Sequence, residues 1–242
     1  MPATVPPGPS LTARDLARLE RLWQQLADFP AGEYDAALAH LLTKLCALAG
    51  AEQAGWIGAV QPCRRGGWQA RAALAVEADV GGGLASLTVE DVRGWASIVT
   101  GESPGSSRPL RNQATGRPGT MGHTLLVKYP VERAAGSWIA LRRTRGGPFR
   151  ATDRARVTHA VRGVPWLHRQ LLLGHGLIRS GEPLSPTDRR VQAWLLTAGS
   201  EREIAATLHV TPSTLHTYVT DLYRKLGVRG RAGLMARWLG QP

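Results

Sequence analysis

EREIAATLHVTPSTLHTYVTDLYRKL, running from Glu201 to Leu226, decides how the C-terminal part of this chain folds. A short helical pattern ends near His209, Thr211 and Pro212 punctuate the chain, and a second helix begins at once. The Thr211 hydroxyl can cap that helix, and Pro212 suits its first position, where no amide donor is needed. Two helices joined by about four residues form a helix-turn-helix, which lays its second helix in the major groove of DNA. Leu215, Val219, Leu222 and Leu226 recur at helical spacing and should face inward. Ser213, His216, Thr217, Thr220 and Arg224 fall opposite, where they can exchange hydrogen bonds with base edges and phosphates. A polar face alone suits an ordinary solvated helix equally well, so the flanking residues decide.

Those flanks run through Leu184-Ser185-Pro186, Asp188-Arg189, Val191 and Glu203-Ile204-Ala205. They continue with Leu208, Val210, Thr211 to Leu215, Tyr223 to Arg229, and Arg231. In order and without gaps, they resemble the LuxR-type (GerE-type) DNA-binding domain over about a quarter of the chain. The resemblance implies an all-α four-helix module that often dimerises through its last helix. Here that helix is Arg231 to Leu239, with Leu234, Met235 and Trp238 as its apolar stripe. Packing within one domain explains such a stripe as well as a dimer contact does. Gly227 fits as the closing residue of the second helix, and Glu203 as a structural buttress. Carried over residue by residue, the DNA-facing positions are Arg202, Thr214, His216, Thr217, Thr220 and Lys225. Arg202 and Thr214 suit phosphate contact; His216, Thr217 and Thr220 suit base edges. His, Thr and Thr depart from the Lys, Arg, Asn or His common in the family, so no operator sequence carries over. Asp221 lies near the same face and would repel phosphate unless paired with Arg224 or Lys225, or would read a cytosine amino group.

Composition permits a polyanionic partner without requiring one. The net charge is +12 over 242 residues, but only +4 of it falls from Leu184 onward. Arg dominates, with Lys only at positions 44, 128 and 225, a bias that fits GC-rich coding better than design for nucleic acid. No apolar run reaches membrane-spanning length, and MPATVPPGPS lacks the segments of a signal peptide, which leads us to expect a cytoplasmic bacterial protein with no membrane partner. Cys46 and Cys63 have no metal-ligand or disulfide spacing, so neither a metal nor a cofactor is expected. Cys46 reads as core, and Cys63 as a turn residue.

Residues 1–9 read as a disordered tail and residues 10–173 as an α+β domain. Thr12 and Asp15 signal a helix cap, followed by Leu16, Leu19, Leu22, Trp23 and Leu26 on one face. A second helix carries Leu38, Leu41, Leu42, Leu45 and Leu48 and ends at Gly50. Strands are expected at Ala54–Val60, Trp68–Val76, Thr124–Val131 and Trp138–Arg142. A helix from Thr88 and a loop over Gly101–Gly119 come between the second and third strands. A last helix runs from Thr152 toward Leu173, broken at Pro165. An antiparallel sheet with flanking helices is expected, with room for an internal pocket. The passage Ser137 to Arg156, with Gly146-Gly147-Pro148-Phe149 before Thr152-Asp153-Arg154, resembles GAF-like sensory domains; PAS-like architecture competes with it. Trp56, Trp68, Trp95, Tyr129 and Trp138, with His123 beside them, are candidate ligand-binding residues, although core filling explains the tryptophans better, and a satisfied strand or loop residue explains Tyr129 and His123 better.

Residues 174–183 read as a linker and residues 184–242 as the DNA-binding domain. The expected function is a homodimeric transcription regulator of double-stranded DNA, governed by a small-molecule effector or a partner. If it activates, RNA polymerase is a further partner. An acyl-homoserine-lactone receptor is the main alternative, although its spaced Trp, Tyr, Asp, Trp set has no convincing place here. An enzyme tethered to a DNA-binding module is the alternative of another class. Against it, no nucleophile with a base, no paired carboxylates and no metal cluster can be found, and Gly81-Gly82-Gly83 lacks the Lys of a phosphate loop.

Overall fold

The computed structural model describes residues 11–62, 67–77, 85–86, 122–178 and 183–241. The expected tail, Cys63, Gly81-Gly82-Gly83, the helix from Thr88 with Trp95, the Gly101–Gly119 loop and linker residues 179–182 lie outside these ranges.

Helix α1 (Ala13–Ala27) opens as its sequence predicts: the Thr12 hydroxyl accepts from the Asp15 N–H while the Asp15 carboxylate accepts from the Thr12 N–H. Leu19, Leu22 and Leu26 are buried, but Leu16 is 41% exposed. The first place on the buried stripe belongs instead to Asp15, which Arg156 grips at 2.8 Å. Helix α2 (Tyr34–Ala49) closes at Gly50, whose φ of +57° costs glycine little. Arg143 donates to the Ala49 and Gly50 carbonyls, supplying partners that the end of a helix lacks.

Among the described residues five antiparallel strands follow: β1 (Gln53–Val60), β2 (Gln69–Glu77), β3 (Ala85–Ser86), β4 (His123–Glu132) and β5 (Ala135–Arg143). Their order in the sheet is β3-β2-β1-β5-β4, so the first strand and the last long one lie at its centre. Pro130, which cannot donate to a ladder, sits at a register irregularity of β4. Helix α3 (Ala151–Arg162) ends just before Val164, and α4 (Pro165–Gly174) restarts with its proline in the first turn, so the expected break at Pro165 is present. Helices α2, α3 and α4 contact the sheet and share one core with Trp56, Val127, Ile139 and Leu141. A second cluster (Ile57, Ala59 and Trp138, with Trp68, Ala70, Ala73 and Leu126) is formed by the side chains that alternate to the other face.

The C-terminal region is helical: α5 (Pro186–Leu195), α6 (Glu201–Thr207), α7 (Pro212–Leu226) and α8 (Gly230–Trp238). Its buried residues Val191, Leu195, Ile204, Leu215, Val219, Leu222, Leu226 and Leu234 belong to the same continuous core as the front of the chain.

Candidate nucleic-acid interface

Local chemistry sets each helix of the C-terminal region. Ser185 and Asp188 form a capping box on α5, and Ser200 and Glu203 form one on α6. Glu203 therefore has the structural place expected of it, and bonds from Ser200 hold its carboxyl below the usual range. Between α6 and α7, His209 takes φ +55°, a left-handed conformation unusual for a residue with a Cβ. The Thr211 hydroxyl accepts from the Thr214 N–H at 3.1 Å, Pro212 lies in the first turn, and Gly227 closes α7 at φ +63°.

The inward face of α7 is buried at Leu215, Val219, Leu222 and Leu226. His216, Thr217 and Thr220 are exposed on the same helix, and Arg202 is exposed on α6. Thr214 is half-buried, its hydroxyl 2.8 Å from that of Thr211. The Thr217 hydroxyl donates to the Ser213 carbonyl, which leaves its lone pairs to accept. His216 Nδ1 lies 3.6 Å from the Glu201 carboxylate, a neighbour on α6 that helical periodicity within α7 does not reveal. Asp221 pairs with Arg224 at 3.1 Å, the first of the partners weighed for it.

Lys225 is exposed, and its ammonium donates to Asp188 at 2.6 Å. Burial by itself would raise the Asp188 carboxyl; the Lys225 and Ser185 bonds outweigh it and hold the group below the usual carboxylate range. Arg231 donates to the carbonyls of Leu195, Thr197 and Gly199, tying the start of α8 to the end of α5. Neither link has a signal in residue spacing.

The candidate ligand residues of the front region do not converge on one pocket. Trp68 and Trp138 meet edge-on, 4.8 Å between centroids, with the Lys128 ammonium 4.4 and 5.1 Å from the two rings. Trp56 lies on the helix-covered face, where its N–H donates to Ser137 Oγ at 2.7 Å. His123 is exposed, and Tyr129 stacks on His168 at 4.5 Å. The His168 Nε2 faces the Val161 carbonyl at 2.9 Å and must carry the proton. Its Nδ1 then accepts from Ser137 at 2.8 Å. Burial drives the His168 pKa down to about 4, against the opposing pull of the Val161 carbonyl. Ser137 and His168 have the spacing of a nucleophile and its base, yet both are fully buried and Ser137 receives the Trp56 N–H. The arrangement is a structural relay linking β1, β5 and α4. Cys46 is buried, as expected, and burial pushes its thiol up to about 11.

Residues 182–237 match the family of bacterial regulatory proteins called luxR (GerE). Over 59 residues the chain is 41% identical to the probable HTH-type transcriptional regulator GfsR of Streptomyces halstedii, covering 24% of either protein. Over 64 residues it is 34% identical to the transcriptional regulatory protein MctR of Rhizobium johnstonii, covering 26% of this chain and 30% of that one. The chain thus matches less than a third of either relative's length. The family match is confined to the C-terminal helices, and the two relatives are described as transcription regulators. Among solved structures, SdiA in complex with octanoyl-rac-glycerol aligns over 96% of this chain and 97% of its own, at 13% identity and a TM-score of 0.37. A crystal structure of Escherichia coli SdiA aligns over 93% of this chain and 97% of its own, at 8% identity and a TM-score of 0.33. Scores this low establish no shared fold.

Proposed function

We propose that the chain is a homodimeric transcription regulator that reads double-stranded DNA through α7, under control of its front domain. The observation that carries this reading is the division of α7 into a buried leucine–valine face and an exposed His216, Thr217 and Thr220 face, within a luxR-type module. Arg202, Thr214 and Lys225 flank that face and supply phosphate contacts, Lys225 after exchanging Asp188 for a phosphate. Half-sites then lie about one helical turn apart, roughly 10 bp. Residues 184–242 constitute the DNA-binding domain and residues 10–173 the sensory one. A GAF- or PAS-like reading of the latter is supported by its five-stranded antiparallel sheet with β1 and β5 at the centre. Ligand sensing is supported by the Trp68–Trp138 pair beside the Lys128 ammonium, an aromatic cluster next to a cation. RNA polymerase is the further partner if the regulator activates.

The test is selection of duplexes from a random-sequence pool by the full-length chain, followed by salt titration of the enriched DNA. Enrichment of a two-fold-related motif, with affinity falling steeply as salt rises, is the expected result. A pool left unenriched overturns the reading.

A further inference from the structure

Helix α7 carries one imidazole, His216, whose side chain is 74% exposed on the polar face. An imidazole can read a base edge in two senses: a bare ring nitrogen accepts a hydrogen bond, and a protonated one donates. Which nitrogen carries the proton is set by what the other one touches. Here Nδ1 is turned toward the Glu201 carboxylate of α6, 3.6 Å away. A carboxylate accepts and does not donate, so it favours the proton on Nδ1. The shape of the ring then aims Nε2 away from Glu201, as the nitrogen left for another partner.

Glu201 is not needed to cap its own helix, because Ser200 and Glu203 already form that box. The other charges of the helices packed on α7 are engaged elsewhere. Lys225 holds Asp188 of α5, Arg224 holds Asp221 within α7, and Arg231 of α8 donates to three carbonyls. Arg202, beside Glu201 on α6, is exposed. The field of Glu201 extends along α7: burial pushes the Tyr223 phenol up, the Glu201 carboxylate adds to that shift and Arg231 opposes it. A negative charge in the first turn also suits the start of α6, so stability alone does not reveal a second role for Glu201.

We propose that Glu201 is a positioning residue for base recognition, fixing the sense in which His216 reads DNA and making that reading depend on pH. With the ring neutral, Nδ1–H faces Glu201 and Nε2 accepts, which selects the exocyclic amino group of adenine or cytosine. With the ring doubly protonated, Nε2 donates, which selects N7 and O6 of guanine. Glu201 holds Nδ1–H in both states, so one base pair of each half-site changes preference with pH. The inference rests on the DNA-binding reading above.

The test selects duplexes with the full-length chain at pH 8 and at pH 5.5, for the parent, His216→Ala and Glu201→Ala, with circular dichroism to check that each is folded. The parent should prefer adenine or cytosine at one position at pH 8 and guanine there at pH 5.5, each by about tenfold. His216→Ala should lose both preferences at that position and keep the rest of the motif. Glu201→Ala should keep guanine at pH 5.5, where both nitrogens are protonated, and lose the choice at pH 8, where the tautomers mix. A parent that selects the same base at both pH values overturns the proposal. So does a Glu201→Ala chain that binds every duplex more tightly with its preferences intact, since Glu201 would then only repel phosphate. Nitrogen NMR of the His216 ring at pH 8 reads the pairing without DNA: the proton should sit on Nδ1 in the parent and shift toward Nε2 in Glu201→Ala. The same tautomer in both chains overturns the pairing, whereas a pool left unenriched beside the expected tautomers means that the DNA-binding reading, and the base recognition resting on it, has failed.

Discussion

Lys225, near the end of α7, donates to the Asp188 carboxylate that forms the cap of α5, at 2.6 Å. The residue expected to touch phosphate is therefore also a strut between two helices. Asp188 has its folded pKa lowered, so its contribution to stability is present above the ordinary carboxylate range and is lost as pH falls through the lower folded value. Lys225→Ala should cost about 1 kcal/mol of stability. It should also weaken binding to all duplexes and reduce the salt slope by about one. Urea unfolding beside salt titration separates the two roles, and unchanged stability would show the strut to be inert.

Thr217→Ala and Thr220→Ala should act differently, because both side chains are exposed and neither joins α7 to another helix. Each should leave stability nearly unchanged while reducing discrimination by about 1–3 kcal/mol at one base pair. The comparison is between the selected duplex and single-base variants of it. Equal weakening on every duplex would make these residues phosphate contacts.

His168 is buried and neutral, with a pKa near 4 against roughly 6.5 in an unfolded chain. Between those values the unfolded state binds the extra proton. Stability should therefore be complete above pH 6.5, fall as pH drops toward 4, and level off below, for a total on the order of 3 kcal/mol. His168→Gln should remove this component of the pH dependence. Chemical unfolding of both proteins at pH 7 and pH 5 checks it, and parallel curves would refute the assignment.

Ser137 stands between the Trp56 N–H and His168 Nδ1, with no exposure to solvent. Ser137→Ala leaves a buried donor and a buried acceptor unmade and should cost about 1–3 kcal/mol. A thermal melt that does not move would mean that water enters to replace the hydroxyl.

His209 holds φ +55° in the turn between α6 and α7. His209→Gly removes the steric penalty of that conformation and should stabilise the fold by up to about 1 kcal/mol. A lower melting temperature would show that the imidazole makes a contribution larger than its strain.

Much of this architecture is written in neighbouring residues. Thr12 with Asp15, Thr211 with Pro212, and Gly227 mark their helix ends through bonds spanning three or four positions, and the structure places each where the pattern indicates. The buried stripe of α7 follows from its period alone. Leu16 departs from its expected place because the capping Asp15, held by Arg156 from a distant helix, takes the buried position.

The sequence by itself determined the caps, the helix-turn-helix and its two faces, because capping and periodicity act within one turn of chain. Only the tertiary structure decided which tryptophans share a face. The register pairs Trp56 with Ile139 and Ile57 with Trp138, which sends Trp56 to the helices and Trp138 to the opposite side. A shift of one residue would reverse that choice, and no local signal specifies it. The same holds for Lys225 on Asp188 and for Tyr34 on Trp238, which meet only after separate elements have packed. Contacts between distant segments depend on the docking of whole helices, and that is set by the complete core rather than by any stretch of it.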